Sequence, residues 1–212
     1  MKYTASSIFF LLILSTSTIS QKSISIRSID FRNFTYPGSQ GHFSTPEYET
    51  TKFALKDGKF KKKDELGMIF ERVVYGGVTG DGVEEAIIVL YVENGGGSAV
   101  VNHVYIYTLA NNQPKFLWGF EGGDRAWGGL RKVYAKDRGL VIELWGKDTQ
   151  IGGDLGSTEA TGLCCPLSFT RSFYVWQKGT FIEKGKAQIL PNPMAKEQCP
   201  SCLPIAEDKE WH

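Results

Sequence analysis

Short apolar segments recur along the chain with polar turns between them, and their residue types favour strands. Val, Ile, Tyr, Phe and Trp are frequent in the segments predicted at residues 28–37, 53–60, 71–75, 86–92, 100–109, 115–120, 130–135, 140–145, 169–177 and 180–183. Turn residues separate several of them, at Asp57-Gly58, Asn111-Asn112, Asp137-Arg138-Gly139 and Lys178-Gly179. Helix signals are scarce, and only residues 47–52 and 62–70 are predicted to form one short helix each. We therefore predict a mainly β fold, an antiparallel sandwich or barrel built from hairpins with at most one or two short helices.

The first twenty residues, MKYTASSIFFLLILSTSTIS, have the pattern of a secretory signal peptide. Lys2 supplies a positive start, residues 8–14 form an unbroken apolar run, and the small residues Thr18 and Ser20 precede a predicted cleavage site. A membrane-spanning helix needs about 20 apolar residues, far more than this run provides. We predict a signal peptide at 1–20, a single β-rich domain at 21–190 and a Pro-rich tail at 191–212. The product is predicted to be secreted or periplasmic, with no transmembrane segment after cleavage.

The predicted mature chain has balanced charge. The sequence contains 24 basic and 23 acidic residues, so removal of Lys2 leaves 24 − 1 = 23 basic residues and a net charge of zero. A neutral chain offers no electrostatic basis for binding nucleic acid. The one basic block, KFKKK at residues 59–63, is interpreted as an edge strand protected by lysines.

The four cysteines all lie in the last quarter of the chain, at Cys164, Cys165, Cys199 and Cys202. An even number of cysteines in an exported protein predicts disulfides. A bond between neighbours is geometrically awkward, so we predict two bridges that join the first pair to the second and tie the tail to the domain. Sequence does not choose between the two ways of doing this. A redox CxxC motif or a zinc site would require a different context or spacing.

A glycine-rich turn, GGVTGDGVEEA at residues 76–86, places carboxylates directly before an apolar strand. Hard cations such as Ca²⁺ bind oxygen ligands presented by a sharply turned backbone, and Thr79, Asp81 and Glu85 carry such oxygens. The alternative is a tight structural turn in which Asp81 accepts a hydrogen bond from its own backbone and the glycines relax the dihedral angles. Both interpretations of the turn are kept.

This segment resembles the calcium loops of FG-GAP and VCBS-type repeats, which follow a D-x-[TN]-G-D-G-x-x-[DE] pattern. The resemblance covers residues 75–86 and implies weak calcium binding through Thr79, Asp81 and Glu85. Gly77 stands where that pattern has its leading aspartate, so one charged ligand is missing. A propeller is not expected, because repeat folds need several such units. The chain also resembles small uncharacterised bacterial exported proteins that pair one such loop with a later Cys-Cys-Pro and an aromatic hairpin, here at 164–166 and 169–181.

We predict no catalytic residues, because the motifs of nucleophilic, metal-dependent and dinucleotide-dependent enzymes are missing from the sequence. His103 lies within a strand pattern and is interpreted as a structural or surface residue. The enzymatic alternative is an extracytoplasmic hydrolase acting on polysaccharide or peptide. It would require a converging carboxylate pair drawn from residues such as Asp124, Glu143 and Asp148.

A loop between glycines, EGGDRAWGGL, is the candidate ligand-binding segment. An exposed Trp127 flanked by Asp124 and Arg125 would suit a sugar or peptide surface; alternatively, Trp127 covers one end of the fold and Asp124 pairs with an arginine. We therefore predict an exported, non-catalytic binding or structural accessory protein, with an unidentified protein or glycan as partner.

Overall fold

The computed structural model describes residues 24–38, 52–62, 66–94, 100–123, 129–151 and 166–198. Within these ranges most residues lie in antiparallel strands, which confirms the prediction of a mainly β fold. The strands are β1 (Thr35–Tyr36), β2 (Phe53–Ala54), β3 (Lys59–Lys62), β4 (Leu66–Gly76), β5 (Glu85–Asn94), β6 (Val100–Ala110), β7 (Gln113–Gly122), β8 (Leu130–Lys136), β9 (Gly139–Trp145), β10 (Ser168–Gln177), β11 (Thr180–Glu183) and β12 (Gln188–Pro191). A 3₁₀ turn covers Ile26–Ser28, and a one-turn helix, α1, covers Ala195–Gln198. Neither helical segment in the described ranges has the length and apolar character needed to cross a membrane.

The first sheet has the strand order β3-β4-β5-β6-β7 and forms the middle layer of the fold. Its central strand β5 is buried on both faces, which explains why residues 86–92 read as an almost continuous apolar run. Ile88 and Leu90 belong to one core cluster, whereas Ile87 and Val89 belong to the other. The sheet therefore needs a covering layer on each side.

An aromatic N-terminal layer covers one face of the first sheet. It consists of the 3₁₀ turn and the two-stranded sheet of β1 and β2. Phe31, Tyr36 and Phe53 are each at most 3% exposed, and Tyr36 donates a hydrogen bond to the carbonyl of Phe31 at 2.6 Å. Tyr107 of β6 meets this layer, with its ring centroid 5.9 Å from that of Phe31. The layer thus shields one of the two core clusters from water.

The second sheet covers the other face. Its strand order is β11-β10-β9-β8. β12 pairs with the first residues of β10, on the same edge of β10 as β11. Leu140, Ile142 and Leu144 of β9 form a core cluster with residues of the first sheet, and Trp118 packs 5.1 Å from Phe181 between ring centroids. Side chains alternate across a strand, so the remaining residues of β8, β9 and β10 lie on an outer face.

The predicted hairpin turns are confirmed by their backbone geometry. Positive φ angles occur at Asn111 and Asn112, at Asp137 and Arg138, and at Lys178 and Gly179. Two consecutive residues with positive φ are typical of the turns that suit the twist of a two-residue hairpin. The lysine-rich β3 is an edge strand of the first sheet, as its composition predicts.

Three local features differ from the predictions made from sequence. Residues 66–70, expected in a helix, begin β4, because pairing with both β3 and β5 outweighs local helix propensity. The strand expected at 28–37 shortens to Thr35–Tyr36, because Asp30 accepts hydrogen bonds from the Arg32 amide and the Asn33 side chain and turns the chain. The predicted hairpin turn at Asp57-Gly58 is confirmed, because Lys56 and Lys59 exchange backbone hydrogen bonds across it, while β2 before it pairs with β1. The short helix α1 in the Pro-rich tail was not expected. The helix predicted at 47–52 lies almost entirely outside the described residues.

Candidate functional site

The glycine turn between β4 and β5 has the geometry of a side-chain-supported turn. Gly80 and Gly82 have φ angles of 80° and 88°, a region that glycine enters without steric cost. The Val83 amide donates to Oδ1 of Asp81 at 2.8 Å, two residues along the chain. This hydrogen bond is the one expected from the structural interpretation of the sequence.

Glu85, by contrast, faces into the protein at the first residue of β5. Its side chain is fully buried and accepts a hydrogen bond from the Val78 amide at 2.8 Å. The hydroxyl groups of Thr79 and Thr108 also donate to it, at 3.2 and 3.4 Å. Burial raises the pKa of Glu85, although the Val78 and Thr79 hydrogen bonds oppose that rise. The carboxylate therefore fastens both the turn and β6 to the start of β5.

The predicted calcium ligands are only partly brought together. Thr79 and Glu85 are hydrogen-bonded to each other, whereas Asp81 accepts a hydrogen bond from the Val83 amide of its own turn. A hollow of about 420 Å³ lies beside the turn, and Arg138 is among its lining residues, which is unfavourable for a cation. Within the described ranges, no three His, Cys, Asp or Glu side chains group as a metal site would require. Calcium binding by Thr79, Asp81 and Glu85 stays a prediction.

The neighbouring Glu84 faces the surface and pairs with the N-terminal layer. Nε and Nη2 of Arg27 donate to its two carboxylate oxygens at 2.7 and 2.6 Å, and this pairing lowers the pKa of Glu84. The Arg27 guanidinium also lies 4.6 Å from the ring centroid of Tyr75. Glu84 is thus a surface partner and does not contribute to the turn.

Two other sets of predicted residues fall outside the described part of the chain. They are the candidate ligand residues Asp124, Arg125 and Trp127, and the cysteines Cys164, Cys165, Cys199 and Cys202. The ligand surface and the disulfides predicted from these residues stay predictions.

The outer face of the second sheet holds a buried charge cluster that sequence reasoning missed. Glu143 on β9 is 1% exposed and lies between two arginines. Nε and Nη2 of Arg171 on β10 lie 2.8 and 2.7 Å from its Oε1, and Nη1 of Arg131 contacts its Oε2. The Tyr134 hydroxyl is 3.5 Å from Oε1. A buried carboxylate held in this way fixes the positions of both guanidinium groups.

Aromatic rings pack against the guanidinium groups of the same two arginines. The Arg131 guanidinium lies 4.0 Å from the ring centroid of Phe169 and 5.4 Å from that of Trp145. The Arg171 guanidinium lies 5.6 Å from the Phe169 centroid. Stacking of arginine on aromatic faces is favourable and restricts the side chain to one orientation.

Next to this cluster is a groove of about 240 Å³, which we call the basic groove. Cross-strand neighbours Tyr134, Val141 and Phe173 form an apolar floor that spans β8, β9 and β10. The charged and polar lining residues are Lys136, Asp137, Arg171, Lys184, Lys186 and Gln188. These residues come from three separate stretches of the chain, at residues 136–137, 171 and 184–188. The sequence shows polar residues alternating with apolar ones along β8 and β10, which indicates a polar outer face. The groove itself becomes apparent only from the register of the strands.

The carboxylates of the hydrolase alternative do not form a catalytic pair among the described residues. The Glu143 oxygens already contact Arg131, Arg171 and Tyr134 and are screened from solvent. Asp148 is exposed in the turn that follows β9. The third residue, Asp124, lies outside the described ranges.

His103, the one histidine in the described ranges, is buried within the first sheet. It is 2% exposed, and its Nε2 lies 3.9 Å from Oε2 of its cross-strand neighbour Glu121. Burial lowers the pKa of His103 to about 4, because the charged form loses its hydration. A histidine in this position contributes to the fold and is not accessible to a substrate.

Comparisons of the chain with family models, with curated proteins and with solved structures found no match. Functional interpretation therefore rests on the geometry of the chain itself.

Proposed function

We propose that the chain is an exported, non-catalytic binding or accessory domain that holds its ligand in the basic groove. The observation that carries this proposal is a concave surface with an apolar floor and polar groups at its rim, one of which, Arg171, is held in place by other side chains. Ligand sites typically combine these two features, with apolar contact for affinity and a few positioned polar groups for orientation. Arg171 meets the second requirement, because Glu143 and the Phe169 ring hold its guanidinium in place.

The polar groups at this face favour binding over hydrolysis. A glycosidase of the usual type needs two carboxyl groups that reach the substrate, one of which acts as an acid. Glu143 is the buried carboxylate here, and its oxygens are engaged by arginines. Among the described residues that line the groove, Asp137 is the one carboxylate. A single exposed carboxylate, with no second carboxyl group among the lining residues that the structure describes, supports recognition rather than bond cleavage.

Glycan- and small-molecule-array binding with the purified mature protein tests this proposal. Gln188 lines the groove and is exposed, so Gln188→Trp would fill the groove with a ring and block any ligand, charged or neutral. Gln113 is an exposed glutamine at the start of β7, so Gln113→Trp makes the same chemical change outside the groove lining.

We expect the wild type and Gln113→Trp to bind the same ligands on the array. Gln188→Trp should bind none of them. The retained ligand should be recovered intact after incubation, as mass spectrometry would show. Cleaved ligand would identify a hydrolase instead. Retention that is unchanged by Gln188→Trp, or no retention by any form, would overturn the proposal.

A further inference from the structure

We propose that the ligand of the basic groove is a small phosphate or sulfate monoester whose anionic group binds the cationic rim and whose ring lies on the apolar floor. This inference rests on the proposed binding function and specifies the chemical class of the ligand.

The outer face concentrates positive charge in an otherwise balanced chain. The charged groups that line the basic groove or pair with Glu143 are the cations Arg131, Lys136, Arg171, Lys184 and Lys186 and the carboxylates Asp137 and Glu143 itself. Five cations and two carboxylates give a local net charge of 5 − 2 = +3, whereas the whole sequence has a net charge of +1. Such a concentration on a concave surface attracts anions and raises their local concentration.

Arg171 provides the fixed anion-binding group. Its Nε and Nη2 face Glu143, and its guanidinium also borders the groove, with 38% of the side chain exposed. Guanidinium groups bind the oxygens of tetrahedral anions through charge-assisted hydrogen bonds. Because Glu143 already orients the guanidinium, little conformational entropy is lost when an anion binds.

Three lysines complete the rim from two sides. Lys136 ends β8, while Lys184 and Lys186 flank Gly185 in the segment after β11. The Lys184 amide donates to the carbonyl of Phe173 at 2.7 Å, so the backbone of this segment is attached to a floor residue. Three ammonium groups around one fixed guanidinium can reach the three terminal oxygens of a phosphate or sulfate ester, whereas a carboxylate offers only two.

The floor has room for one ring. Gly139 has no side chain, and a Cβ there would lie 2.6 Å from the Phe173 ring, so glycine allows that ring to lie over the strand. Tyr134 and Phe173 flank Val141, which gives the floor two aromatic members. At about 240 Å³ the groove is smaller than pockets for drug-sized ligands, which start at about 300 Å³. A single ring bearing one anionic group is the size class that fits.

Calorimetric titration at constant ionic strength tests the inference, with phenyl phosphate, phenyl sulfate, inorganic phosphate and phenol as probes. We expect both esters to bind, inorganic phosphate to bind more weakly because it makes no floor contact, and phenol to show no binding. The triple variant Lys136→Ala/Lys184→Ala/Lys186→Ala should weaken ester binding about tenfold or more, a loss of about 1.4 kcal/mol or more. Its three substitutions are at exposed positions and leave the Glu143 cluster intact.

A matched variant, Lys56→Ala/Lys59→Ala/Lys61→Ala, removes the same charge from exposed positions around β3 and should leave ester binding unchanged. Equal weakening by both triple variants would overturn the inference, because it would show a general charge effect. Absence of ester binding would also overturn it. In that case, array capture of a neutral ligand that Gln188→Trp abolishes would leave the proposed binding function standing.

Discussion

The adjacent glutamates Glu84 and Glu85, at the start of β5, have different structural roles. Glu84 reaches outward to Arg27, whereas Glu85 turns inward and accepts hydrogen bonds from the Val78 amide and the Thr79 hydroxyl. Side chains alternate across an extended strand, so neighbours necessarily face different environments. Burial raises the pKa of Glu85, while the Arg27 partner lowers that of Glu84. The carboxylates before the apolar strand thus have structural explanations that require no ion.

The turn interpretation predicts different effects for two substitutions at Asp81. Asp81→Ala removes the acceptor of the Val83 amide and should lower the free energy of unfolding by about 1 kcal/mol, the typical net value of such a hydrogen bond. Asp81→Asn keeps a carbonyl oxygen in the same place and should remain within about 0.5 kcal/mol of the wild type. Chemical denaturation in the presence of a chelator measures both values.

Calcium binding predicts another outcome for the same pair of variants. A melting temperature that rises in millimolar calcium, with the rise lost in Asp81→Asn, would identify the turn as an ion site. That result would contradict a purely structural role, because asparagine preserves the turn but removes the charge on which calcium affinity depends. An unchanged melting temperature in all three proteins would remove calcium from consideration.

Sequence predicts a residue's contribution well when its partner is local, and poorly when the partner is distant in the chain. The Asp81–Val83 bond spans two residues and follows from turn chemistry alone. The inward direction of Glu85 depends partly on Thr108, which is 23 residues away on another strand. The basic groove is an extreme case, since the separation of Lys136 from Arg171 hides their proximity until the register of β8, β9 and β10 is known.

At the scale of elements, local composition identifies strands, but it does not specify where they meet. The predicted segments around β5 through β11 match the strands to within a few residues, because β-branched and aromatic runs between turns have few alternatives. The start of β4 is the exception, since LGMIF at residues 66–70 is a short apolar run that suits a helix or a strand until β3 and β5 pair with it. Close approach between the two sheets is also invisible in the sequence. It depends on Gly76 of β4 and Ala135 of β8, where a Cβ on Gly76 would lie 2.4 Å from that of Ala135.

This contact predicts a compensating pair of substitutions. Gly76→Ala should lower the free energy of unfolding by about 1–3 kcal/mol, because the added methyl group forces β4 and β8 apart. Ala135→Gly alone should cost about 0.5–1 kcal/mol through the flexibility of glycine. The double variant Gly76→Ala/Ala135→Gly moves the methyl group to the other strand and should be more stable than Gly76→Ala. A double-mutant cycle from denaturant unfolding measures this coupling, and strictly additive losses would contradict the close approach.

At the scale of the whole molecule, the first sheet contributes side chains to two hydrophobic cores, one on each of its faces. Its residues Ile88 and Leu90 pack with the N-terminal layer, and Ile87 and Val89 pack with the second sheet. Alternate residues of β5 contribute to the two cores. Loss of either outer layer would therefore expose one face of the first sheet and destabilise the strand that the remaining core also needs. This arrangement predicts that the described layers unfold together rather than one after another.

Phe31→Ala tests that cooperativity from one side of the molecule. Phe31 is 3% exposed, and its loss should lower the free energy of unfolding by about 3–5 kcal/mol. Among the described tryptophans, Trp118 and Trp176 pack with Phe181 on the opposite side of the first sheet, and Trp145 lies on the second sheet beside Arg131. The fluorescence of these three therefore reports the second sheet and its core. We expect circular dichroism and tryptophan fluorescence to shift to the same lower denaturant midpoint. Phe116→Ala is the matched control, because Phe116 also contacts Tyr107 but is 44% exposed, and its cost should be much smaller. If Phe31→Ala left the fluorescence midpoint unchanged, the N-terminal layer would be an independent unit and the shared-sheet account would be wrong.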